Sequence, residues 1–220
     1  MSLRSRLLAE ALGSAFLLAV VVGSGIMGER LSDGNIAIAL LANAVATGCA
    51  LFALIQMFGP ISGAHFNPAV SLAMLARGKL AARDAAGYIT AQVVGAFSGV
   101  ASAHAMFGLP AFSASTHPRL GAALVWSEFV ATFGLLLVIL LASRKGLMAT
   151  ALSVASYIVA AYWFTASTSF ANPAVSLARA STDTFSGIRA DGVPWFIVAQ
   201  LIAILAAVGT EKVLLHPQEN

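Results

Sequence analysis

At 220 residues the chain is 59% hydrophobic and only 10% charged, with a mean hydropathy of +0.88. Soluble domains carry about a quarter charged residues, so a soluble globular protein is excluded. A formal net charge of +3 invites a nucleic-acid reading, which the distribution of the basic residues argues against, and a single cysteine excludes an intrachain disulfide.

Apolar stretches of about 20 residues, the length that crosses a bilayer, recur along the chain. The first, Leu7–Met27, is too long for the apolar core of a signal peptide and lacks a small-residue cleavage site before polar sequence, so it is expected to remain. It carries Glu10 near its start and ends in GSGIMG at Gly23–Gly28. That run fits G-x-G-x-x-G but closes a span and does not join a strand to a helix, so it predicts no nucleotide site. The second span, Ile36–Phe58, holds Thr47 and the mid-span Cys49, expected as a small core residue. GPISGAHF then leads into NPAVSLA at Asn67–Ala73. Asparagine is a favoured N-cap and proline suits the first helical position, so Asn-Pro starts a helix. The run AVSLAMLARG is too short to span, which predicts a segment folding back into the membrane. A third span, Ala85–Phe107, contains Gly95 and Gly99 in a G-x-x-x-G spacing that predicts a close helix contact.

After a linker, STHPRL, the order repeats. Leu120–Ala142 carries Glu128 near its start, Leu147–Thr168 follows, NPAVSLA recurs at Asn172–Ala178, and Val193–Leu215 closes the chain. EALGSAFLLAV from Glu10 matches EFVATFGLLLV from Glu128, and AQVVGA from Ala91 matches AQLIAI from Ala199. Each half therefore crosses three times, and an odd number of crossings makes the second half enter from the opposite side. The expected architecture is an all-α integral membrane protein of six transmembrane helices plus two re-entrant half-helices in an inverted repeat. Residues 1–114 form the first repeat and 115–220 the second, and such repeats place a conduit at their interface. In this arrangement Arg4, Arg6, Arg77, Lys79, Arg83, Arg144, Lys145 and Lys212 share one side, against Arg30, Arg119, Arg179 and Arg189 on the other. The positive-inside rule then puts both termini in the cytoplasm. Short termini and loops suit a bacterial inner membrane.

Two helix starts facing one lumen would oppose cations and protons, each carrying roughly half a positive charge. Glu10 and Glu128 are expensive in a membrane and raise a proton-relay reading. Their symmetric placement favours structural carboxylates that accept hydrogen bonds from loop backbone. His65 reads either as a pH-sensitive gate or, more simply, as a loop-packing histidine. No metal-ligand cluster, cofactor motif or nucleophile motif is present, and an enzyme is not expected.

With paired NPA motifs, six spans and SGAHFNPAV in the first half, the chain resembles the aquaporin and aquaglyceroporin (major intrinsic protein) family along essentially its whole length. The resemblance implies a homotetramer in lipid, each protomer with its own pore. It implies that Asn67-Pro68-Ala69 and Asn172-Pro173-Ala174 meet at mid-channel, the asparagines donating to the permeating molecule. Most members follow the second NPA with arginine at the narrowest constriction, where this chain has Val175. Carried over by spacing, the remaining filter positions are Thr47, Ala160 and Ser169. A ring of Thr, Ala, Ser and Val is small and uncharged, which predicts a wide passive pore for water and neutral solutes. Some bacterial members associated with arsenic resistance are similar in having valine here, which implies polyol, metalloid or methylated arsenical solutes. A water- or glycerol-selective pore is the alternative, and an ion-coupled secondary transporter ranks below both. Arg179, one turn beyond Val175, reads either as filter charge displaced into the outer vestibule or as a solvated residue or partner of Asp183.

Overall fold

The computed structural model describes residues 1–215; the last five positions assigned to the second repeat lie outside them. Among the described residues the regular structure is all helical. The elements are α1 (Leu3–Leu31), α2 (Ile36–Ser62), the short α3 (Pro68–Ala76), α4 (Ala82–Met106), α5 (Ala122–Ala142), α6 (Leu147–Phe164), the short α7 (Pro173–Ala178) and α8 (Val193–Leu215). Two long helices, a short one and a long one thus occur twice in the same order.

Five of the long helices are long and apolar enough to cross a membrane. α4 is the exception to the six expected: its 25 residues suffice in length, but its composition is too polar. The polar side chains explain themselves by facing inward. Tyr88, Gln92 and His104 of α4 are buried, and each is hydrogen bonded within the bundle. A polar group satisfied this way loses little on leaving water. α6 stops at Phe164, four residues before the expected end, because Thr165 turns extended and the chain enters a loop.

α1 packs along α4 through Gly95 and Gly99. A Cβ on Gly95 would stand 2.1 Å from the Ala11 carbonyl oxygen, and one on Gly99 would stand 2.2 Å from that of Ala15. Only glycine permits backbones this close, the arrangement expected from the G-x-x-x-G spacing. Elsewhere the large exposed side chains, among them Leu12, Phe16, Val94, Leu152 and Leu205, cover the outside of the bundle. That inside-out distribution suits acyl chains as solvent. The three tryptophans, Trp126, Trp163 and Trp195, are all exposed, at the start of α5, the end of α6 and the start of α8. Tryptophan prefers the membrane–water boundary, and a place at the end of a spanning helix suits that preference.

Cys49 corrects one expectation. It is exposed, whereas Thr47 and Leu51 on either side of it are buried. Two residues are about 200° of helical rotation, so the neighbours of a buried position two steps away point outward.

Candidate functional site: a lumen closed around two asparagines

Each short helix begins at an asparagine whose side chain does two jobs. Asn67 Oδ1 accepts from the Ala69 amide at 2.8 Å, and Asn172 Oδ1 accepts from Ala174 and Val175 at 3.0 and 3.2 Å. These bonds satisfy amides that a helix start otherwise leaves unpaired. The amide nitrogens reach across the bundle: Asn67 Nδ2 donates to the Ala171 carbonyl at 2.7 Å, and Asn172 Nδ2 donates to the Phe66 carbonyl at 2.8 Å. A carboxamide has two N–H donors. One of each pair is spent on the opposite loop, and the other is left for the lumen, which both asparagines line.

The loops before the two asparagines share an unusual backbone. Ala64 and Phe66 have φ of 50° and 48°, and Ser169 and Ala171 have φ of 51° and 47°. Left-handed conformations are uncommon for non-glycine residues and cost on the order of 1 kcal/mol each. The backbone amides of these loops are met by the buried carboxylates. Glu10 accepts from the His65 and Phe66 amides at 2.9 and 2.7 Å, from Ser62 Oγ at 2.6 Å and from Gln92 Nε2 at 2.7 Å. Glu128 accepts from the Phe170 and Ala171 amides at 2.9 and 2.8 Å and from Gln200 Nε2 at 2.6 Å. Neither carboxylate is exposed or lines the lumen.

Two glutamines, not singled out in the sequence beyond the repeated Ala-Gln, complete these networks. Gln92 Nε2 also donates to Ser71 Oγ at 2.9 Å, and Gln200 Nε2 donates to Ser176 Oγ at 3.0 Å. The serine of each NPAVSLA therefore ties its short helix to the long helix behind it. The repeated signal was visible, but only the three-dimensional partner gave it meaning. His65 packs edge-on to Tyr88 and pairs through Nδ1 with Ser71 Oγ at 3.0 Å, while its ring also borders the lumen.

The lumen is a cavity of about 420 Å³. Of the four positions assigned to the filter by spacing, Thr47, Ser169 and Val175 line it and Ala160 does not. Thr150, Val154, Ile158 and Tyr162, at four-residue intervals, form the α6 face of the cavity together with Leu147. Ala160 lies between two of them in sequence, on the opposite, exposed side of the helix. Tyr162 stands where alanine was expected, its hydroxyl 3.3 Å from Thr47 Oγ1.

Arg179 is neither solvated nor paired with Asp183. It is 2% exposed, lines the cavity, donates Nε to the Ser186 carbonyl and stacks with its guanidinium carbon 3.4 Å from the centre of the Phe170 ring. Asp183 instead accepts from the amide and hydroxyl of Thr116 at 2.8 and 2.9 Å. Two donors hold that carboxyl below the ordinary carboxylate range, the backbone amide most of all. Among the described residues no cluster of three or more metal-ligating side chains occurs.

The family model for the major intrinsic protein matches residues 1–146. The chain is 52% identical over 215 residues to aquaglyceroporin AqpS of Rhizobium meliloti, covering 98% of this chain and 92% of that protein. It is 36% identical over 139 residues to a glycerol uptake facilitator-like protein of Lactiplantibacillus plantarum, covering 60% of this chain and 61% of that one. The fold matches the X-ray structure of the aquaglyceroporin from Plasmodium falciparum with a TM-score of 0.72 at 21% identity, covering 97% of this chain and 98% of that chain. With capped half-helices meeting across a central lumen, this chain belongs to the major intrinsic protein family and is a passive membrane channel for water and small solutes, not an enzyme.

Proposed function

We propose that the channel favours neutral solutes larger than water, polyols and hydroxylated metalloid or methylated arsenical species, and that Val175 is the residue responsible. A valine beside the second helix start carries no donors and no charge into the lumen, whereas an arginine there would fill it. Thr47 and Tyr162 supply hydroxyls for a polyol, and Asn67 and Asn172 each keep an N–H for it. The name of the AqpS relative, an aquaglyceroporin, supports the same solute range. The reading includes two inverted repeats, 1–114 and 115–220, with Glu10 and Glu128 as their structural carboxylates. It further takes the pore to be one of four in a homotetramer, in a bacterial inner membrane with both termini cytoplasmic.

The test is glycerol and water entry into proteoliposomes followed by stopped-flow light scattering. Wild type is expected to pass both, and Val175→Arg to lose at least tenfold in glycerol while retaining water. Equal glycerol rates in the two proteins would remove Val175 from the constriction.

A further inference from the structure

The two loops that precede the asparagines are braced alike from behind. Ser62 and Ser167 each stand five residues before an asparagine. Each hydroxyl accepts from the amide two residues on, Ala64 at 3.1 Å and Ser169 at 3.2 Å. His65 and Phe170, two residues before the asparagines, meet the rings of Tyr88 and Phe196 edge-on, with centroids 5.2 Å apart in both halves. Tyr88 and Phe196 hold equivalent places, four residues before Gln92 and Gln200.

The likeness ends at one atom. In the first half the Tyr88 hydroxyl donates to the carbonyl of Ser62 at 2.8 Å. Phe196 has no hydroxyl to offer the carbonyl of Ser167, a residue that is also buried. A buried carbonyl without a donor is costly. Arg119 meets this one: its Nη1 reaches the Ser167 carbonyl at 3.3 Å and Thr168 Oγ1 at 3.5 Å, while Nε donates to the Gly187 carbonyl at 2.9 Å.

The second loop also needs more holding than the first. Thr168 has φ of 60° where the first loop has Gly63 at 88°. Glycine adopts this conformation freely, and a β-branched residue is strained in it. Ser62 Oγ donates to Glu10 at 2.6 Å, whereas Ser167 makes no such bond to Glu128 among the described residues. Arg119 forms no ion pair among the described residues and does not line the cavity, so its polar contacts all go to binding this loop to Gly187. Ser169 and Phe170, the next residues of the loop, do line the cavity.

We infer that Arg119, in the linker between the repeats, is a positioning residue for solute size: it replaces the hydroxyl that Phe196 lacks and holds Ser169 and Phe170 in the lumen wall. A planar guanidinium has donors enough to grip the loop and the Gly187 carbonyl at once. With that grip removed, the loop leaves its strained path and the wall yields to bulkier solutes. This role rests on the passive-channel reading but not on Val175 as the residue responsible for solute size.

The experiment measures entry of water, glycerol and a five-carbon polyol into proteoliposomes of the full chain. Arg119→Met keeps an aliphatic stem and removes every donor. It is expected to raise five-carbon polyol entry relative to water about threefold or more. Adding Phe196→Tyr supplies a hydroxyl where Tyr88 has one, and is expected to return the ratio to within about twofold of wild type. A ratio unmoved in Arg119→Met, or a double variant as altered as the single, would overturn the assignment. If Arg119→Met alone yields no folded protein, the double variant decides. Recovery of folded protein with the wild-type ratio is then expected, and no recovery would overturn the assignment. Because entry is expressed relative to water, a wild type that passed water and no glycerol would count against the polyol reading alone.

Discussion

Asn67 and Asn172 each hold the loop that carries the other. Asn67 bonds the Ala171 carbonyl at 2.7 Å and Asn172 bonds the Phe66 carbonyl at 2.8 Å, and each of those carbonyls belongs to the residue just before the opposite asparagine. The two short helices are thereby fixed start to start. Replacing either asparagine by alanine removes a cap worth about 1 kcal/mol and a buried cross-bond worth about as much again. Because the two side chains brace one junction, the double variant is expected to lose less than the sum of the singles. Thermal unfolding in detergent of the two singles and the double measures that coupling, and additive losses would show the asparagines to be independent.

The contact between α1 and α4 leaves no room at Gly99. A Cβ there would stand 2.2 Å from the Ala15 carbonyl oxygen and 2.8 Å from the Leu18 Cβ, neither of which is the free end of a flexible chain. Gly99→Ala is expected to destabilise by at least 1–3 kcal/mol, typical of overpacking. A melting temperature equal to wild type would show that the two helices separate at little cost.

Ala160 and Tyr162 make opposite predictions. Ala160 is on the exposed side of α6, so Ala160→Phe is expected to change glycerol entry by less than about twofold, since a bulky apolar group there points away from the lumen. Tyr162 borders the lumen and touches Thr47, so Tyr162→Ala is expected to raise the entry of solutes bulkier than glycerol. The pair is scored by comparing glycerol with a five-carbon polyol in the same vesicles. A strong effect at Ala160 with none at Tyr162 would restore the assignment made by spacing.

Asp183 gives the outer loops a pH dependence of known sign. Thr116 donates its amide and hydroxyl to this carboxylate and holds its pKa below that of the unfolded chain. The contribution to stability is therefore complete above the ordinary carboxylate range and is lost as pH falls through the lower, folded value. Asp183→Ala is expected to melt below wild type at neutral pH, with the gap closing in acid. A gap that stayed constant across the titration would mean that the charge of Asp183 plays no part.

The sequence by itself determined the spans, the duplicated order of elements and the two helix starts. These features are local. Length and apolarity decide whether a stretch can cross a bilayer, and an Asn-Pro pair needs only its own backbone to start a helix. Only the tertiary structure decided which way side chains face. Ala160 and Cys49 lie two residues from buried positions, and that interval rotates a side chain to the far side of a helix. The composition of α4 was too polar for its depth until Gln92 and His104 had found their partners on other elements. Arg179 and Asp183 have a spacing that suits an ion pair on a continuing helix. The regular helix α7 ends at Ala178, and the chain then passes through a short 3₁₀ turn, Arg179–Ser181, into extended backbone at Thr182. That change of path separates the two charges, sending Asp183 to Thr116 and leaving Arg179 against Phe170 at the edge of the lumen.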